Sequence, residues 1–172
     1  MKRSDINPMP EYFDRYINTV DDVELEEALN ISLEELKNLP ADQWEAIGDK
    51  VYEEGKWTIR DIIQHLIDTE RIFTYRSLCF ARDEASRLPS FDEVSYAKNA
   101  LATQRSLEEL ISELIVVRTS FIALYRSFIA EMLAKTGLSF KGPYSVASIG
   151  FIMAGHQRWH LRIIEERYLS LL

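Results

Sequence analysis

The chain has 172 residues, a length that suits one domain with a hydrophobic core of ordinary size. Its composition, 47% hydrophobic and 28% charged, indicates a soluble globular protein rather than a disordered one. The net charge of −8 argues against partners that need a basic surface, namely nucleic acid and anionic membranes. We therefore expect a single domain over residues 1–172, with residues 1–20 as an N-terminal extension.

Cys79 is the only cysteine, so an intramolecular disulfide is impossible and a reducing, cytoplasmic location is the simplest expectation. We interpret Cys79 as a small core residue. The first eleven residues lack the apolar run of a signal peptide. No stretch approaches the roughly 18 apolar residues of a membrane span.

The hydrophobic pattern predicts four helices and no strand domain. The first helix is expected to begin near Asp21 or Asp22, because acidic residues favour a helix N-terminus, and to end at Leu39-Pro40. A connector over 41–56 is expected to follow.

The second helix has the strongest start signal. Thr58 is a candidate N-cap, and Asp61 three positions later completes a variant of the capping box. Trp57 and Ile62 are spaced as a hydrophobic staple. This helix is predicted to continue to about Arg82.

The third helix is predicted over about 103–135, with Gly137 as its C-terminal stop. The fourth is predicted to begin at the cap Ser145 and to run nearly to Leu172. Four long helices without strand signals predict an all-α protein with a four-helix-bundle fold.

The histidines carry the functional signal. There are three in the chain, His65 in the second predicted helix and His156 and His160 one turn apart in the fourth. All three fall at core-facing positions, where a polar ring is costly unless it is hydrogen-bonded or ligated. Three neutral imidazoles form the ligand set of an open, catalytic zinc-type site. The pattern therefore predicts that His65, His156 and His160 bind a divalent metal ion.

Few residues are candidates for hydrogen bonds to the three histidines. Asp61 and Asp68 share a helix side with His65, and the plainer interpretation of each is a solvated helix charge. The spacing of His156 and His160 resembles the H-E-x-x-H motif of zinc proteases. However, Gln157 replaces the glutamate that acts as general base there, so a protease of that type is not expected. Gln157 is the third candidate partner of the ligands, beside Asp61 and Asp68.

Two arginines follow the same helix faces as the histidines. Arg76 and Arg167 could anchor an anionic group of a substrate. The interpretation that we favour from sequence is that both extend to solvent at the ends of the bundle or pair with acids.

Three segments carry a family resemblance: the helix entry Lys56-Trp57-Thr58 with His65 seven positions after Thr58, the motif Gly155-His156 through His160, and Ile163 through Tyr168. In these segments the chain resembles the DinB-like superfamily, which includes DinB-type and YfiT-type four-helix proteins. The resemblance implies a metal triad of His65, His156 and His160 in an up-down-down-up bundle, often dimeric, with nickel or zinc as the usual ion. Relatives often carry glutamate and a further histidine where this chain has Gln157 and Trp159.

The resemblance also implies a range of reactions. Characterised relatives include transferases and isomerases that act on conjugates of bacillithiol, mycothiol or glutathione, and the YfiT-type members are regarded as hydrolases. A three-histidine ion can lower the pKa of bound water to about 7, which supports hydrolysis, or hold a thiolate, which supports thiol transfer. The leading hypothesis is a metal-dependent hydrolase or thiol S-transferase that acts on a small molecule, such as a thiol conjugate.

Two alternatives remain open at this point. One is a non-catalytic metal-binding stress-response protein with a structural ion, which a fourth protein ligand would favour. The other is a plain helical bundle with hydrogen-bonded core histidines, which would bind no stoichiometric metal.

Overall fold

A computed structural model describes residues 1–172 and contains eight α-helices. Their bounds are α1 Asp14–Ile17, α2 Leu25–Lys37, α3 Ala41–Ile47, α4 Ile59–Ala81, α5 Glu93–Ala100, α6 Leu107–Arg126, α7 Ala130–Ala134 and α8 Val146–Arg167. The long helices α2, α4, α6 and α8 form a four-helix bundle, which confirms the predicted fold class. No helix combines the length and the hydropathy that crossing a bilayer requires.

Side-chain caps fix where three of the four long helices begin. Thr58 accepts a hydrogen bond from the Asp61 backbone N–H at 3.1 Å, and Asp61 accepts one from the Thr58 N–H at 2.9 Å. The predicted start of α4 is thereby confirmed, and its last helical residue is Ala81. Ser106 starts α6 with a similar capping box, and the predicted cap Ser145 starts α8.

The third predicted helix is shorter than expected. Helix α6 begins after its cap Ser106, ends at Arg126 and is separated from α7 by three residues. The apolar pattern continues through the break because Phe128 is buried, so periodicity alone could not reveal it. The expected stop Gly137 lies instead in a two-residue strand, where a Cβ atom would overlap the ring of Phe80.

The short elements were also missed. The predicted connector 41–56 contains α3, which buries Trp44 and Ile47, and α5 lies between the second and third predicted helices. The first long helix begins at Leu25 rather than at Asp21 or Asp22. A small hairpin pairs 136–137 with 144–145. Helices of one or two turns contain too few residues for an apolar period to be recognised.

A polar layer, Ser32, Glu70 and Arg118, separates two apolar clusters of the core. In α6, Arg118 falls between Leu114 of one cluster and Phe121 of the other. Ser32 and Glu70 occupy the equivalent places in α2 and α4.

The polar layer joins all four long helices through the Arg118 guanidinium. Its Nε donates to Glu70 Oε1 at 2.5 Å, and its Nη2 donates to Glu70 Oε2 at 3.0 Å. Nη1 donates to Ser32 Oγ, and Nη2 also contacts the Met153 carbonyl oxygen at 3.3 Å. Both members of the ion pair are 2% exposed. Through the contact with the Met153 carbonyl, Arg118 therefore holds α8 in position one turn before His156.

The expected N-terminal extension packs on α8. Phe13 and Ile17 are buried in the core, and the Tyr16 backbone lies directly against Gly155. A Cβ atom on residue 155 would overlap the Tyr16 carbonyl. Glycine at this position therefore permits the close approach of α1 and α8.

We expect Gly155→Ala to lower the free energy of unfolding by up to about 2 kcal/mol. Overpacking usually costs about 1–3 kcal/mol, and the gain of about 1 kcal/mol that alanine brings to a helix interior offsets part of this cost. Urea denaturation followed by circular dichroism measures the difference. Gly150→Ala is the matched control, because its Cβ meets only the ends of the Leu25 and Tyr125 side chains. A smaller loss for Gly155→Ala than for Gly150→Ala would contradict the assignment.

Candidate metal centre

The three histidines converge at one point inside the bundle. His156 Nε2 lies 3.2 Å from His65 Nε2 and 3.0 Å from His160 Nε2. All three ligand atoms lie within 4.8 Å of one another. His65 reaches the point from α4, and the other two rings reach it from successive turns of α8. No other histidine, cysteine or carboxylate belongs to the group.

Burial keeps these rings neutral. It lowers the pKa of His65 to about 4 and that of His160 to about 3. The pKa of His156 lies well below its usual range, first because of burial and then because of the other two rings. All three rings therefore carry a free lone pair at neutral pH, the state that metal binding requires.

Hydrogen bonding alone does not account for the cluster. An imidazole nitrogen is either one donor or one acceptor. His156 Nε2 has two nitrogen neighbours within 3.2 Å, so one of these contacts is left without a conventional hydrogen bond. Two nitrogen ligands of a tetrahedral zinc ion, each about 2.0–2.1 Å from the metal, lie about 3.3 Å apart. The donor set thus fits a divalent ion better than it fits a hydrogen-bonded core.

A cavity of about 260 Å³ opens beside the cluster. His65 and His156 are part of its wall, and most of the remaining wall is aromatic or aliphatic. Tyr16 of the N-terminal segment lies against His156, with ring centroids 5.0 Å apart. A small molecule in this cavity would lie beside the imidazoles and away from most water.

The predicted partners of the ligands lie elsewhere. Asp61 is occupied at the start of α4 by both the N–H and the hydroxyl of Thr58. Asp68 accepts a hydrogen bond from Gln64 at 2.9 Å, and burial raises its pKa. Gln157 faces α2, where its amide donates to the Ser32 carbonyl at 2.9 Å. None of the three forms a hydrogen bond with an imidazole.

Sequence reasoning did not single out the side chains that do contact the cluster. Thr69 Oγ1 lies 3.5 Å from His65 Nδ1, one turn along α4. The Trp57 ring centroid lies 4.9 Å from that of His65. Thr69 could have been found as the core-facing position four residues after His65, but the contact of Tyr16 depends on how residues 1–20 fold back.

The two arginines lie in different environments. Arg167 is exposed, as we favoured from the sequence, and its guanidinium carbon lies 6.0 Å from the centroid of the Tyr52 ring. Arg76 is 2% exposed and lines the cavity, so it neither reaches bulk solvent nor follows that expectation. Cys79 is half-buried against the core.

We expect the metal-free protein to lose stability in acid. Since the pKa of His65 is about 4 in the folded state and 6.5 normally, its contribution is intact above pH 6.5. It declines as the pH falls through 6.5 toward 4, by about 3 kcal/mol in total. Urea denaturation between pH 7 and pH 4 after chelation measures this, and His65→Gln should show a shallower decline. Parallel curves for the two proteins would contradict the burial of a neutral ring.

Comparison with known proteins agrees with this architecture. The family model of the DinB superfamily matches residues 24–164. The chain is 28% identical over 117 residues to an Oceanobacillus iheyensis protein named "Putative metal-dependent hydrolase OB0413", and the match covers 67% of each chain.

Among solved structures, the chain is similar to YfiT from Bacillus subtilis, with a TM-score of 0.68 and 20% identity. The match covers 94% of this chain and 87% of YfiT, which is described as "a probable metal-dependent hydrolase with an unusual four-helix bundle topology". This likeness establishes the fold. Since the family model spans most of the sequence, the chain belongs to the DinB superfamily.

Proposed function

We propose that the protein is a metal-dependent hydrolase of small molecules, with His65, His156 and His160 as ligands of one divalent ion, zinc or nickel. The observation that carries the proposal is the convergence of three neutral imidazoles beside a cavity, two of them buried and that of His160 half-buried, with no fourth protein ligand. Structural zinc sites are closed by four protein ligands, whereas catalytic sites keep a position open. The names of two relatives support the same activity.

The chemistry follows from the ligand set and the cavity. A divalent ion held by three imidazoles supplies a Lewis acid and lowers the pKa of water toward about 7. His65 and His156 place this chemistry at the wall of the cavity, and the apolar walls would hold the substrate against it. Asp92 and Glu93 are the carboxylates that line the cavity, so they are the candidate acceptors for a proton released in hydrolysis.

Transfer of a low-molecular-weight thiol is the alternative reaction, because an open divalent ion can also hold a thiolate. A non-catalytic stress-response role is less well supported, since the cluster offers three ligands rather than four. One experiment compares the three functions.

The test uses zinc-loaded and nickel-loaded protein, a panel of activated esters and amides, and glutathione with a chlorodinitrobenzene acceptor. We expect ester or amide hydrolysis at least ~100-fold above the His156→Ala variant, because the loss of one ligand removes the ion. Activity should disappear with chelation and return with zinc. Thiol transfer without hydrolysis would replace the proposal by the transferase function. If wild type catalyses neither reaction faster than the His156→Ala variant does, the proposal of a catalytic function is contradicted.

A further inference from the structure

Arg76 carries a buried positive charge that no acid neutralises. Its Nη2 donates to the Pro89 carbonyl at 2.9 Å, and its Nη1 lies 3.5 Å from the Tyr144 hydroxyl. The guanidinium also stacks on Phe73, 4.7 Å from the ring centroid. All three partners are neutral. The other buried arginines, Arg60 and Arg118, each form an ion pair with a carboxylate.

A buried charge without a counter-ion is costly, and such groups mark sites where a charged ligand enters. Arg76 lines the same cavity as His65 and His156. The carboxylates of this cavity do not neutralise it, because neither Asp92 nor Glu93 forms an ion pair with Arg76. Asp92 is instead engaged at the start of α5, where it accepts from two backbone N–H groups.

The geometry separates the guanidinium from the histidines along the cavity. Arg76 follows His65 by eleven positions on α4, which is about 16 Å along the helix axis and nearly the same face. Helical side chains lean toward the N-terminus, and the contact with Phe73 shows that Arg76 does so. The gap between the guanidinium and the imidazoles is therefore on the order of 10 Å. Phe73 and Ile152 line the same cavity.

We propose that Arg76 is the anion-binding residue of this cavity, and that the substrate is a small carboxylate whose acid group binds Arg76. The planar guanidinium suits a carboxylate because it can donate two parallel hydrogen bonds. An apolar segment of the substrate then lies along Phe73, and its reactive group reaches the histidines. The position of the reactive group rests on the proposed function, whereas anion binding by Arg76 does not.

The test measures binding of 4-phenylbutyrate and of its neutral analogue 4-phenylbutanamide by isothermal titration calorimetry. Metal-free protein is used first, so that the carboxylate cannot bind a metal ion, and zinc-loaded protein second. We expect the acid to bind metal-free wild type at least ~10-fold more tightly than the amide, the effect of a charge-assisted hydrogen bond. Arg76→Gln should remove this preference and leave amide binding within about twofold. Arg76→Lys should retain part of it.

Two controls make the result specific. Arg167→Gln removes an exposed arginine remote from the cavity lining and should change nothing. Arg15→Gln removes the exposed arginine that stacks on Tyr12 and Tyr16, two residues of the cavity wall. A preference that is lost in Arg15→Gln and kept in Arg76→Gln would overturn the assignment.

Other outcomes are equally decisive. Equal affinity for acid and amide, or no acid binding at millimolar concentration, would overturn the inference. So would acid binding that requires zinc and persists in Arg76→Gln, because the carboxylate would then bind the metal. If Arg76→Gln does not fold, the Nε–H resonance of Arg76 in wild type decides: it should shift with the acid and not with the amide. A failure of hydrolysis alone would leave these binding results intact.

Discussion

Replacement of Arg118 by methionine is expected to lower the free energy of unfolding by about 3–5 kcal/mol, because it leaves the Glu70 carboxylate buried without its partner. Both side chains are 2% exposed, so water cannot take over the lost contacts. The substitution also removes the hydrogen bonds to Ser32 and to the Met153 carbonyl. Urea denaturation at neutral pH measures the loss.

Two comparisons separate the ion pair from general effects of the substitution. Arg126→Met breaks an exposed pair with Glu26 and should cost less than about 1 kcal/mol. The double variant Glu70→Leu with Arg118→Met should be more stable than Arg118→Met alone, since no unpaired charge remains. A loss below 1 kcal/mol in Arg118→Met would contradict the role given to the polar layer.

The second large effect concerns stabilisation by metal. We expect zinc at about 100 times its dissociation constant to stabilise the wild type by about 2.7 kcal/mol, because the ion binds the folded chain and not the unfolded one. In His156→Ala this stabilisation should be absent, since His156 Nε2 lies between the ligand atoms of His65 and His160, within 3.2 Å of each. Thermal unfolding of chelator-treated protein, with and without added zinc, measures both.

Gln157→Ala is the matched control for this experiment. Gln157 follows His156 in α8, but its amide bonds to α2. The variant should therefore unfold at a lower temperature than wild type and still gain the full stabilisation from zinc. Equal zinc stabilisation of His156→Ala and wild type would show that the ion binds elsewhere.

The sequence was most informative where a local pattern determined the structure. Thr58 and Asp61 form a helix-start signal that depends on only four residues, and the structure contains this capping box at the start of α4. The four-residue spacing of His156 and His160 places both rings on one face of any helix, so their proximity could be predicted. The proximity of His65 to this pair could be predicted as well, because core-facing positions of neighbouring helices point toward one another.

The remaining features depend on tertiary contacts. Arg118 occurs in an otherwise apolar helix pattern, and nothing in α6 reveals that Glu70 lies opposite. From the sequence alone, Arg76 looks like a solvent-exposed arginine of α4. Its burial depends on the segment at Pro89, whose carbonyl accepts a hydrogen bond from it. Tyr16 reaches the histidines only because Gly155 lets the N-terminal segment approach α8. Such contacts join residues more than ten positions apart, which single-sequence periodicity does not report.

The proposed hydrolase requires that His65, His156 and His160 bind one divalent ion. Elemental analysis of tag-free protein, purified in parallel with His156→Ala and exposed to zinc and nickel before removal of free metal, measures this binding. We expect about one ion per wild-type chain and a loss of most of it in the variant. Wild type that stays empty, or a variant that retains the same content, would contradict the metal centre and the hydrolase function built on it.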